Sequence, residues 1–231
     1  MNLDFSQIHI STHTAVAMES FNISANPGTD IWKKPPKEDI FNAASYAHRR
    51  PPLVAPVSNT VTKPLATFES ARVSFSAKWS SQYDQAGLLL AFHPPGTAAP
   101  EGEGVAKPAK WIKTGLEMYN SVPRIGTVAC DSWADWSLSP VQKDGDADDG
   151  VITVSIEREN TDGFGHGIWV YQVVGEEKHP LREITWGFAS PEMDGWDLSV
   201  SAFAARPHDK TEEALDVKFQ GMEVVWGEED V

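Results

Sequence analysis

The chain has 231 residues, 41% of them hydrophobic and 23% charged, an ordinary globular balance with length for one large domain or two small ones. Nineteen Lys and Arg against 33 Asp and Glu leave a formal charge of −14, which repels phosphate backbones and anionic lipid and argues against nucleic acid and membrane as partners. A single cysteine excludes an intrachain disulfide or a multi-cysteine zinc site, and without a signal-like N-terminus or a long apolar run the expected location is cytoplasmic.

The periodicity along the chain is that of strands. From Phe68 to Lys78, Ala71, Val73, Phe75 and Ala77 alternate with Arg72, Ser74, Ser76 and Lys78, which predicts a strand with one buried face. Ala86 to Phe92 is short and almost continuously apolar, as a central strand covered on both faces would be. Further strands are expected at Trp111–Tyr119, Gly126–Cys130, Val151–Arg158, Gly167–Val174, Ile184–Phe188, Trp196–Ala204 and Val217–Trp226. Turn-rich pieces separate them, and Asp209 to Leu215 is the one helical turn expected in the second half. Many strands at short spacing predict an all-β sandwich or jelly roll. No linker divides it, so residues 1–231 are expected to form a single domain. Proline-rich stretches near 33–56 and 94–110 read as long surface loops inserted between strands.

The segment QYDQAGLLLAF (Gln82 to Phe92) followed by WIKTGLE (Trp111 to Glu117) resembles the family of the fungal regulation-of-enolase protein. That family is a domain of unknown function within the concanavalin A-like lectin/glucanase superfamily. TDIW (Thr29 to Trp32), ADWSLSP (Ala134 to Pro140) and FASPEMDGWDLSVSAF (Phe188 to Phe203) support the resemblance, which spans roughly Glu19 to Trp226. It implies a concanavalin A-like β-sandwich, a jelly roll of two antiparallel sheets with a concave face. It implies no assigned reaction. The two proline-rich insertions are longer than the family pattern and would border that face.

Alternation sorts the diagnostic segments into faces. Asp84, Ala86, Leu88, Leu90 and Phe92 share one face of the first segment, and Ile112, Thr114, Leu116 and Met118 one face of the second; both look like inter-sheet core. The opposite faces carry Tyr83, Gln85 and His93, and Trp111, Lys113, Glu117 and Tyr119. With Trp32 and Trp136 from the neighbouring motifs, these nine are the candidate ligand-binding residues. Aromatic faces stack on flat or sugar-like ligands while amides and charges orient hydroxyls. Lys113 and Glu117 lie roughly 13 Å apart at their Cα atoms, so each needs another partner. Because both sit off the inter-sheet core, replacing either is expected to change stability by no more than about 1 kcal/mol if no buried partner is orphaned. Asp84, on the core-like face, is expected to hold a loop backbone, and Asp30 to do the same near Trp32.

Other chemistries find no pattern. Retaining glycoside hydrolysis needs two carboxylates roughly 5–5.5 Å apart, and in the nearest acidic string, Glu192 to Asp197, Pro191 and Gly195 place the first carboxylates in a turn. DGDADDG (Asp144 to Gly150) lacks the glycine and glutamate of a calcium loop. Phosphate-loop, nucleophile-elbow and zinc-helix motifs are absent. Cys130 reads as a packing residue, His9 and His13 as non-ligands, and His93 and His166 as acids or bases without an identifiable partner. The expected function is a lectin-like protein binding a small polar or carbohydrate-like ligand in a concave cleft, without metal or cofactor. The alternatives are a cofactor-independent isomerase, cyclase or pericyclase using the same cleft, and a regulatory module that contacts a protein partner.

Overall fold

The computed structural model describes residues 14–17, 20–47, 62–97, 107–143, 150–159, 167–208, 210 and 212–228. Two seven-stranded antiparallel sheets lie face to face. The first runs β1 (Thr14–Ala17), β16 (Leu215–Trp226), β7 (Phe68–Ala77), β12 (Ile152–Arg158), β13 (Ile168–Val174) and β14 (Glu177–Ile184), with β2 (Phe21–Ala25) also pairing β16. The second runs β11 (Ala134–Pro140), β10 (Val122–Cys130), β9 (Lys110–Tyr119), β8 (Gln85–His93), β15 (Asp197–Ala205) and β5 (Ala44–Ala47), with β6 (Thr62–Pro64) also pairing β15. A separate hairpin, β3 (Ile31–Lys34) and β4 (Glu38–Phe41), pairs with neither sheet. This is the expected concanavalin A-like β-sandwich.

The alternation that predicted the strands places the core. Val73 and Phe75 of β7, Leu88, Leu90 and Phe92 of β8, Ile112 and Leu116 of β9, and Val217 and Phe219 of β16 meet between the sheets and are buried. Removing that much apolar surface from water is the main term holding the layers together. On its outer face the second sheet carries a smaller apolar cluster. There Leu89, Trp111, Val128, Cys130 and Phe203 are covered by Ile31, with Trp32 and Phe41 packed against it. The β3–β4 hairpin is therefore seated on the outer face of β8–β10 and leaves part of that face open.

Three expectations are corrected here. Ile184–Phe188 is not a strand: residues 185–188 form a turn, and the strand before it is β14, whose charges and Pro180 hid it. Pro180 is tolerated because β14 is the sheet edge and lies at a bulge against β13. The stretch from Lys33 is no simple loop, since it completes β3 and supplies β4 and β5; residues 48–56 lie outside the described residues. No helix forms between 209 and 215 among the described residues, where Leu215 instead opens β16. The short 3-10 turn Leu65–Thr67 is the one helical element among the described residues, and none is long and apolar enough to cross a membrane.

Candidate functional site

Adjacent strands β8 and β9 carry the two diagnostic motifs, and their register fixes the floor of the site. Gln85 stands opposite Glu117, and Leu89 opposite Lys113. The β9–β10 turn is a two-residue hairpin with Asn120 and Ser121 both at positive φ (51° and 62°), the geometry that matches strand twist. It sets Val128 opposite Lys113, and β11 then sets Trp136 opposite Val128. Gln82 holds the same corner, its Oε1 accepting from the Asn120 N–H at 2.9 Å.

Lys113 is 4% exposed. Its Nζ donates to the Ile31 carbonyl at 2.7 Å, to Gln85 Oε1 at 2.6 Å and to Asp30 Oδ1 at 3.5 Å. Gln85 Nε2 in turn donates to Asp30 Oδ1 at 3.3 Å and to the Tyr83 carbonyl at 3.2 Å. Burial pushes the Lys113 ammonium below its ordinary pKa, while Asp30 and Glu117 act in the opposite direction. Glu117 is 8% exposed and accepts from Trp136 Nε1 on Oε2 at 3.0 Å. Burial raises its pKa to about 7; Lys113 and the Trp136 hydrogen bond pull it back, and Asp30 adds to the rise.

Above this floor is a pocket of about 530 Å³, lined by side chains that include Trp32, Tyr83, Trp136, Asp30 and Glu38. The rings meet at steep angles: Trp32 and Trp136 at 82° with centroids 6.2 Å apart, Tyr83 and Trp136 at 67° and 6.4 Å. Tyr83 is 39% exposed and has φ of 66°, an outlier for a bulky residue. Its surroundings hold it there. The Tyr83 N–H donates to the Met118 carbonyl at 2.7 Å. The next residue, Asp84, fully buried, accepts from the Ser80 and Ser81 N–H groups and from both Arg206 Nε and Nη2.

The structure thus brings Trp32, Tyr83, Gln85, Lys113, Glu117 and Trp136 to one pocket. Tyr119 stands behind it, 5.4 Å from Trp136 and 6.2 Å from Tyr83 between ring centroids. Trp111 and His93 do not join them. Trp111 shares the outer face but is sealed under the hairpin in the small apolar cluster. His93 lies at the far end of β8, buried against β15 with Nε2 3.1 Å from Ser199 Oγ, and burial lowers its pKa. Sharing a strand face did not make these two neighbours of the site, because β8 is long and the hairpin covers its middle.

Sequence reading missed Lys34, Glu38, Val128, Pro207 and His208, which also line the pocket, and it gave Asp30 only a backbone role. Asp30 stood two residues from Trp32 in TDIW, a legible signal. Pro207 and His208 follow Arg206, which is tied to Asp84 and to the Gly28–Thr29 segment by contacts that no local pattern reveals. In the Glu192–Asp197 string, residues 192–195 form a turn and Asp197 opens β15, with Met193 in the core and Glu192 paired to Lys110 at 2.8 Å. Among the described residues no group of three or more His, Cys, Asp or Glu is placed to hold a metal. His9, His13, His166 and the acids of 144–149 lie outside the described residues.

A family model described as a protein of unknown function, DUF1349, matches residues 11–225. The chain belongs to this family. It is also 39% identical over 188 residues to an uncharacterized protein of Emericella nidulans, covering 81% of this chain and 77% of that protein. Among solved structures it is similar to a functionally unknown protein from Saccharomyces cerevisiae, with a TM-score of 0.59 at 14% identity, over 90% of this chain and 92% of the other. It is similar as well to the Bacteroides ovatus xyloglucan PUL GH43B, with a TM-score of 0.53 at 11% identity, over 89% of this chain and 32% of that one. At these identities the structural likeness carries the DUF1349 member's fold and nothing finer. None of the matches adds support for a role in regulating enolase.

Proposed function

We propose that this DUF1349 protein is a lectin-like binder of a small polar, carbohydrate-like ligand held in the pocket over β8–β11. The observation that carries this reading is the pairing of aromatic faces with carboxyl groups in one partly open cavity. Trp32, Tyr83 and Trp136 offer faces to the C–H surfaces of a ring, and Glu117 and Asp30 offer acceptors to its hydroxyls. A volume of about 530 Å³ falls within the roughly 300–1,000 Å³ usual for small-molecule sites.

Isothermal titration with a panel of mono- and disaccharides tests it. Trp136→Ala removes both a wall and the hydrogen bond that orients Glu117, and should weaken any saccharide bound by the wild type by tenfold or more. No binding across the panel, or binding indifferent to Trp136→Ala and Trp32→Ala, sinks the reading. One observation favours a second reading, a cofactor-independent enzyme. Glu117, with a pKa raised to about 7, is suited to give and take a proton near neutral pH. Turnover of a bound compound that is lost in Glu117→Gln while binding persists would establish it.

A further inference from the structure

We infer that the ligand carries a protonated amine, which the Trp32–Tyr83–Trp136 box seats against the Glu117 carboxyl group. This rests on the reading that the pocket is the binding site and narrows its ligand class.

The first support is the fate of the polar groups in the floor. The three N–H bonds of Lys113 are committed to Ile31, Gln85 and Asp30. Both Gln85 Nε2 bonds go to Asp30 and the Tyr83 carbonyl, and the Trp136 indole N–H goes to Glu117. The donors of the floor are thus satisfied within the protein. What the floor leaves for a ligand are acceptors, while Lys34 and His208 complete the lining from the hairpin and the 207–208 segment. Glu117 Oε1 and Asp30 Oδ2 receive no hydrogen bond from any described residue, and Glu38 adds a third carboxylate to the lining. A ligand that meets acceptors must bring donors, and an ammonium group brings up to three, its charge favouring the ionised form of Glu117, whose pKa lies at about 7.

The second support is the disposition of the rings. A flat saccharide face is best met by a flat aromatic platform. Here the rings stand at 82° and 67° to their shared neighbour Trp136, so they form the walls of a box. Rings set edge to face around one cavity can bring more than one π face to a compact group, an arrangement that favours a cation. Tyr83 reaches its place only by holding φ at 66°, a conformation that bulky residues rarely adopt outside sites where the surroundings impose it. Third, the formal charge of −14 raises the local concentration of cations at the surface and steers them inward.

Titration of the full chain near neutral pH with glucosamine, N-acetylglucosamine, glucose and choline separates the possibilities. Glucosamine is expected to bind at least tenfold more tightly than the two sugars without a free amine. Glu117→Gln keeps an acceptor for Trp136 and should erase that preference, lowering glucosamine affinity tenfold or more while changing glucose little. A merely structural Glu117 would weaken all sugars alike. Should that variant fail to melt cooperatively, Trp32→Leu on the hairpin wall gives the second measurement, with glucosamine again expected to lose about tenfold. Equal binding of glucosamine and glucose overturns the amine and leaves the saccharide reading standing. Choline offers the same charge without an N–H, so choline binding with no sugar binding overturns both the protonated amine and the saccharide. Silence from all four overturns both.

Discussion

Placing an ammonium group in the floor of a pocket costs several kcal/mol unless its hydrogen-bonding capacity is met, and Lys113 meets it with a carbonyl, an amide oxygen and a carboxylate from two segments of chain. One of those acceptors is the Ile31 carbonyl, so the lysine fastens the hairpin to the sheet. The sequence-based expectation that its loss costs no more than about 1 kcal/mol assumed that no buried partner is orphaned, and that condition fails. Lys113→Met should lower stability by about 3 kcal/mol, measured by urea denaturation. Glu117 gives a pH-dependent signature. Its folded pKa of about 7 lies above its ordinary 4.5, so the folded chain holds this proton more tightly than the unfolded chain. The stability it confers is complete below about pH 4.5 and is lost as pH rises through about 7, a difference of about 3 kcal/mol. Glu117→Gln should remove this fall, and the variant should overtake the wild type in stability by pH 8; parallel curves for the two proteins would contradict the assignment.

Elements differ in how openly the sequence declares them. The strands β7, β8 and β9 were legible because ten or so residues kept a period of two or stayed apolar, and the two faces of β8 and β9 sorted correctly into core and exterior. β3 and β4 were not, because four-residue strands separated by a Pro-Pro turn carry too little alternation to register. ITWGF reads as a strand by composition, yet it wraps a corner where Trp186 packs on Phe92 at 5.6 Å. Of the site, the residues on motif strands could be read, whereas the contribution of 207–208 is set by a contact between distant segments. Glycines at Gly87, Gly115 and Gly126 lie in register across β8, β9 and β10, and they separate fold from site. A Cβ on Gly115 would fall on the Ala86 carbonyl oxygen, which is backbone and cannot yield. A Cβ on Gly126 would meet Glu117 Oε2 at 2.8 Å, the end of a side chain. Gly115→Ala should therefore abolish the folded state, whereas Gly126→Ala should cost about 1 kcal/mol and displace Glu117 from Trp136, lowering ligand affinity. Circular dichroism melts with titration of the second variant check both.

Across the whole molecule, Arg206 ties together segments far apart in sequence. Its guanidinium holds Asp84, Ser80 Oγ and the Glu213 carbonyl, and its own carbonyl accepts from the Gly28 and Thr29 N–H groups. The loop that delivers Asp30 and the turn that delivers Tyr83 are thus anchored at one residue. Arg206→Ala leaves the Asp84 charge buried without its cation and should destabilise by about 3–5 kcal/mol. Arg206→Ala combined with Asp84→Asn should recover part of that loss, as thermal melts of the single and double variants would show.

The β3–β4 hairpin is paired to neither sheet, and a lone two-stranded unit is marginal in water. It is held by Ile31 against the small apolar cluster and by Lys113 beneath it. It can therefore lift away in a sub-global opening that leaves every ladder of the sandwich intact. Amide deuterium uptake should report this directly: the hairpin ladder from Ile31 to Phe41 should exchange orders of magnitude faster than β8 and β9, and a saturating ligand wedged against Trp32 should slow the hairpin alone.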